Sequence, residues 1–144
     1  MLSPRAAWLV RGLVVLAGLS PWLLVLFGVG DNPATAIFRA LCHREPARTL
    51  VVLGTPMLVC SRCAGLYLGA SLGALFFLPV RWLPHGRALV LAALAVLVVA
   101  VAVQDLGHLP PSHPLRLATG LALGWTASAF MFASIVPRSA RERR

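Results

Sequence analysis

The sequence contains no lysine. All thirteen basic residues are arginine, and they stand against only four acidic ones. Charged residues occupy 12% of the 144 positions and hydrophobic ones 59%, at a mean hydropathy of +0.85. So few polar groups exclude a water-soluble domain of this size, and the solvent must be lipid. The arginines are scattered between apolar segments, and no basic stretch is interleaved with aromatics, which excludes nucleic-acid binding. The missing lysines point to the base composition of the gene rather than to a function, although arginine suits anchoring at headgroups. No A-x-A cleavage site precedes Asp31. The first apolar run is also about twice the length of a signal h-region, so it reads as a retained span.

Four apolar runs remain, over about residues 6–29, 60–79, 88–105 and 115–136. At roughly 20 residues per span they use up the chain. The predicted fold is therefore all-α: an integral membrane bundle of four transmembrane helices, one polytopic domain over 1–144, with a long outer-face loop after helix one. Pro21 inside the first run is tolerated as a kink. The second run is short unless Met57 to Arg62 forms its first turn. Gly65, Gly69 and Gly73 form a small-xxx-small stripe that matches the small residues Gly120, Gly124, Ala127 and Ser128 of the fourth run, and both suit dense helix contact and leave self-association open.

Arginine placement sets the expected orientation. Arg5, Arg11, Arg81, Arg87, Arg138, Arg141, Arg143 and Arg144 fall on one side, opposed by Glu142 alone, with His85 beside them as a headgroup residue. Arg39, Arg44, Arg48, Arg62 and Arg116 fall on the other with Asp31, Glu45 and Asp105. The positive-inside rule puts both termini in the cytoplasm of a multi-pass protein of the cell's inner membrane. The loops near 30–60 and 104–115 then meet on the outer face.

All three cysteines lie in the first of these loops. Cys42, His43, Cys60 and Cys63 make a Cys3His set, the complement of a closed tetrahedral zinc site, and C-x-x-C lets two thiolates reach one ion across a single turn. Thiolates equally admit copper, nickel or iron. Arg44, Arg48 and Arg62 supply compensating charge and lower thiol pKa values. Two readings compete with metal. On an oxidising face Cys60 and Cys63 can form a disulfide with Cys42 as exchange partner, making a thiol-disulfide redox protein, or the cysteines can simply staple the loop to helix two. In the second loop, Asp105 ends an apolar helix, Arg116 opens the next, and His108 and His113 lie between them. Such groups at a membrane edge mark a functional site by default, against the commoner outcome of a simple Asp105–Arg116 pair. Asp105, Arg48, Arg62 and Arg116 are accordingly candidate contacts around the metal or to a substrate.

These residues carry a resemblance. The run Cys42-His43-x-x-Pro46-x-Arg48-Thr49, with Pro56-x-x-Val59-Cys60-x-Arg62-Cys63-x-Gly65-x-Tyr67-x-Gly69, resembles the signature of a family of small predicted bacterial and archaeal membrane proteins grouped as a domain of unknown function. Asp105 and Arg116-x-x-Thr119-Gly120-x-x-x-Gly124 extend the likeness over about residues 40 to 125. Thr49 stands where family members often show serine, and Cys63-Ala64-Gly65 where they show a small residue before Thr-Gly. The resemblance implies fold and site location and brings no activity. A closed site would be structural, whereas three ligands with an open position would suit a metal-dependent membrane hydrolase or oxidoreductase acting on a lipid or other membrane-embedded substrate.

Overall fold

A computed structural model describes residues 4–29, 35–42, 45–76, 85–106, 110 and 112–135. Helix α1 spans Pro4–Leu26 and the short α2 spans Ala36–Leu41. A 3-10 turn over Pro46–Arg48 then leads into a hairpin of β1, Thr49–Val52, and β2, Thr55–Cys60. Helix α3 (Ser61–Leu75) follows directly, then α4 (Gly86–Val101), which ends in a π turn over Ala102–Leu106, and last α5 (His113–Ile135).

Among the described residues three helical stretches are long and apolar enough to cross a membrane: Arg5–Leu26, Gly86–Gln104 and His113–Ser134. Helix α3 is not among them. Its fifteen residues rise about 22 Å, short of the roughly 30 Å of a bilayer core. Met57 to Cys60 does not supply the extra turn without which the second run is short, because Thr55–Cys60 is extended and paired with β1. Three β-branched residues, Val51, Val52 and Thr55, flank a two-residue turn there and favour strand over helix. Phe77 to Pro79, the remainder of the expected second span, lies outside the described residues.

The bundle is organised by contact between α3 and α5, which run parallel. A Cβ at Gly65 would strike the Leu117 carbonyl, one at Gly69 the Leu121 carbonyl, and one at Gly73 the Trp125 carbonyl. In return Gly120 and Gly124 leave room for the carbonyls of Arg62 and Leu66. Absent side chains let the two backbones touch, as expected for small-xxx-small stripes in lipid. The glycine faces are therefore used within the chain.

Helix α1 packs antiparallel on α3. Ser71 Oγ donates to the Val15 carbonyl at 3.1 Å beside Gly18, and the Trp22 indole N–H reaches the Ala64 carbonyl at 3.1 Å. At the far end Arg11 donates to the Leu75 carbonyl, placing a cation where the α3 dipole is negative. Helix α4 is antiparallel to α5, with Gly86 against the Phe130 ring. The end of α1, the start of α3, the end of α4 and the start of α5 thus share one end of the molecule. A small core sits there, built from Val25, Phe38, Cys42, Met57, Leu58, Val59 and Ala64.

Candidate functional site

The cysteines line this core, each carried by a different piece of backbone. Cys42 ends α2, where its N–H still bonds the Phe38 carbonyl at 2.9 Å and its side chain is buried. Phe38, one turn earlier, meets the Tyr67 ring edge-on at 6.2 Å and pins α2 to α3. Cys60 is the last residue of β2 and the N-cap of α3; Cys63 lies in the first helical turn. Both are half-buried, and all three are free thiols.

Their sulfurs lie within 4.8 Å of one another. A tetrahedral ion with sulfurs at about 2.3 Å would require sulfur–sulfur separations of about 3.8 Å, so small side-chain adjustments suffice. The donor set is the soft, anionic one that d-block ions prefer.

Local electrostatics favour thiolate at Cys60, whose pKa is lowered to about 5. A hydrogen bond from the Cys63 thiol is the largest cause; against the opposing effect of burial, the N–H groups of Cys63 and Arg62 and a contact with the Cys42 thiol act in the same direction. Those two amides belong to the first turn of α3, which has no intrahelical acceptor for them.

Around the thiols the chain is pinned by side-chain to backbone bonds. Thr49 Oγ1 donates to the Glu45 carbonyl at 2.8 Å, and Ser61 Oγ donates to the Arg48 carbonyl at 3.1 Å. Of the arginines expected near the site, Arg48 pairs with Glu45 at 3.5 Å. Arg62 donates from Nη2 to Gln104 Oε1 at 3.4 Å, which joins α3 to the end of α4. The π turn aims Gln104 inward and leaves Val103 and Leu106 exposed. Arg116 is 2% exposed, with Thr119 buried one turn further on.

Gln104 carried no expectation from sequence. Its only signal was an amide next to Asp105 at the end of an apolar helix. His43 and Arg44 lie outside the described residues, as do His108 and the side chain of Asp105, so the expected fourth ligand and the Asp105–Arg116 pair fall there. His113 opens α5 with a buried Nδ1 that has no hydrogen-bond partner among the described residues, and it is not part of the three-sulfur group. Beside this polar layer an apolar groove of about 430 Å³ runs between α4 and α5, lined by Val96, Val99, Val103, Leu115 and Thr119 among others.

Residues 42–130, from the first cysteine to the last turns of α5, match the family model described as "Predicted membrane protein (DUF2085)". The chain belongs to that family. Every described residue of the thiol cluster and of the polar layer falls inside the DUF2085 match, whereas α1 precedes it. An uncharacterized protein of Methanothermobacter thermautotrophicus is 39% identical over 92 residues, which cover 60% of this chain and 80% of that protein. An uncharacterized protein of Methanocaldococcus jannaschii is 28% identical over 101 residues, covering 63% of this chain and 61% of its own length. No solved structure matches the chain.

Proposed function

We propose that the protein is a multi-pass membrane protein holding a metal ion, zinc first, through Cys42, Cys60 and Cys63, with His43 as fourth ligand. The convergence of three sulfurs within 4.8 Å carries this reading, since they come from a helix end, a strand end and a helical turn. Such an arrangement is costly to hold in a chain with no use for it, because one buried and two half-buried thiols and an N-terminal helix turn must be fixed together. In the four-helix arrangement α3 is the inner helix, supported by its glycine contact with α5, and the thiol end faces away from the cytoplasm.

A bound zinc would supply Lewis acidity if an open position remained and purely structural cross-linking if His43 closed the site. The residues of the chain would do the rest. Cys60 is poised as thiolate, while Arg62 and Gln104 hold the ends of α3 and α4 together beside it. The apolar groove, which lies next to Arg116 in sequence and space through Leu115 and Thr119, suits a lipid-like substrate.

The test is elemental analysis of protein purified without chelator, beside a thiol count by alkylation. About one metal per chain, with thiols that react only after chelation, is expected. Metal-free protein in which Cys60 and Cys63 resist alkylation until reduced would replace this reading with a redox or stapling disulfide.

A further inference from the structure

From Thr49 to Ser61 the chain carries no Asp, Glu, Lys, Arg or His, yet most of this stretch forms a hairpin at the surface. One part of it is inside: Met57, Leu58 and Val59 are completely or nearly completely buried. The tip is the opposite, with Val51 67% and Leu53 85% exposed. Helix α2 divides in the same way, burying Phe38 and Cys42 while leaving Ile37 and Leu41, one turn apart, about two-thirds exposed.

Turn chemistry sharpens the anomaly. Leu53 has φ +51° and Gly54 φ +80°, the left-handed pair of a two-residue hairpin turn, whose first position asparagine or glycine normally fills. An L-residue with a bulky side chain is strained there, because its Cβ crowds the following carbonyl oxygen. Leucine at 53 therefore works against both the backbone and water.

The hairpin adjoins the exposed apolar end of α1. The hairpin packs on the last turns of α1, where Trp22 and Val25 join the core while Leu26 and Phe27 remain exposed. The hairpin also stands where α3 falls short of a full span. Each strand of a two-stranded sheet keeps one unpaired edge, whose polar groups hydrocarbon would leave unsatisfied but the headgroup region satisfies.

We propose that α2 and the hairpin form an interfacial anchor, with Val51, Leu53, Ile37 and Leu41 inserted at the headgroup–acyl boundary of the bilayer that α1, α4 and α5 cross. The thiol cluster at the hairpin base then lies at headgroup depth. This inference rests on the membrane placement and is independent of whether the thiols hold metal.

The experiment uses the full chain in phosphatidylcholine vesicles, with a photoreactive benzophenone amino acid at position 53 or, as a control, at Ala47 in the exposed 3-10 turn. Acyl-chain adducts found by mass spectrometry should be several-fold more abundant from position 53. Equal or absent adducts, or cross-links from position 53 to a second copy of the chain, would overturn the anchor. A second measurement removes dependence on the probe. Leu53→Asn suits the left-handed turn, so a hairpin in water should show unchanged or slower amide exchange. A hairpin held by lipid should instead exchange several-fold faster on losing its leucine, and unchanged or slower exchange would overturn the proposal. Metal is assayed in the same samples: adducts without metal leave the anchor standing and remove the metal reading alone.

Discussion

The main-chain N–H of Cys60 donates to the sulfur of Cys42 at 3.2 Å. Eighteen residues separate the two, so the contact closes the whole segment that holds α2 and the hairpin, and it turns one sulfur toward the other two. Such a hydrogen bond is the kind of support that orients ligands around a metal.

The first prediction follows for Cys42. Cys42→Ser removes one of three soft donors and the acceptor for the Cys60 amide. Stoichiometric metal should be lost, and the hairpin should exchange amide hydrogens faster. Elemental analysis and hydrogen exchange of the purified variant check both; full occupancy would take Cys42 out of the ligand set.

A second prediction concerns pH. Cys60 has its pKa lowered to about 5, with the hydrogen bond from Cys63 as the main cause. A depressed folded-state value means the thiolate stabilises the metal-free fold. That contribution is complete above the ordinary thiol range, near 9, and is lost as pH falls through about 5. Alkylation of metal-free protein against pH should show one thiol with a midpoint near 5, and it should map to Cys60 by peptide mass. A single midpoint above 8 for all three thiols would contradict the hydrogen-bonded arrangement.

The third prediction tests the helix contact that carries the site. A Cβ at Gly120 would collide with the main-chain carbonyl of Arg62, which no rotamer change can move aside. Gly120→Ala should force α3 and α5 apart and destabilise the protein by about 1–3 kcal/mol. Arg62 and Cys63 would shift with α3, so metal affinity should fall too. Gly12→Ala, where nothing lies within 4 Å, is the control and should be near neutral. Thermal unfolding in detergent distinguishes them.

Much of this was legible in the sequence, for reasons specific to each part. The glycines of α3 and α5 announce close contact because their four-residue spacing has few other uses in an apolar helix. The cysteines announce a cluster through C-x-x-C. The hairpin was not legible, because its turn is Leu53-Gly54 rather than Asn-Gly and its strands are uniformly apolar on both faces. Nor was the inward turn of Gln104, since a π turn depends on local packing and leaves no periodic signal. The boundary between β2 and α3 is illegible for a related cause: hydropathy does not distinguish a buried strand such as Met57 to Val59 from the start of an apolar helix.

Orientation supplies a fourth prediction. A reporter fused after Arg144 should be active on the cytoplasmic side, because the arginine excess lies on the face that holds both termini in the four-span arrangement. Activity on the other side would move the thiol end, the hairpin and the polar layer into the cytoplasm together.

Arg62 separates a metal site from a disulfide. It lies between Cys60 and Cys63 in the first turn of α3, and its guanidinium bonds Gln104 Oε1. A cation at a helix N-terminus beside two sulfurs stabilises thiolate, the form that binds metal. Arg62→Gln removes the charge and nearly keeps the length. If the thiols hold metal, affinity should drop and the pH at which half the metal is released should rise, because protons compete better for the sulfurs. A disulfide has no proton to lose and should not respond. Metal retention against pH for both proteins, with alkylation at each point, reads the difference. An unchanged release curve would mean that the Arg62 charge is spent on Gln104 and its other neighbours rather than on the thiolates. Metal absent from both proteins, with Cys60 and Cys63 unreactive until reduced, would end the metal reading.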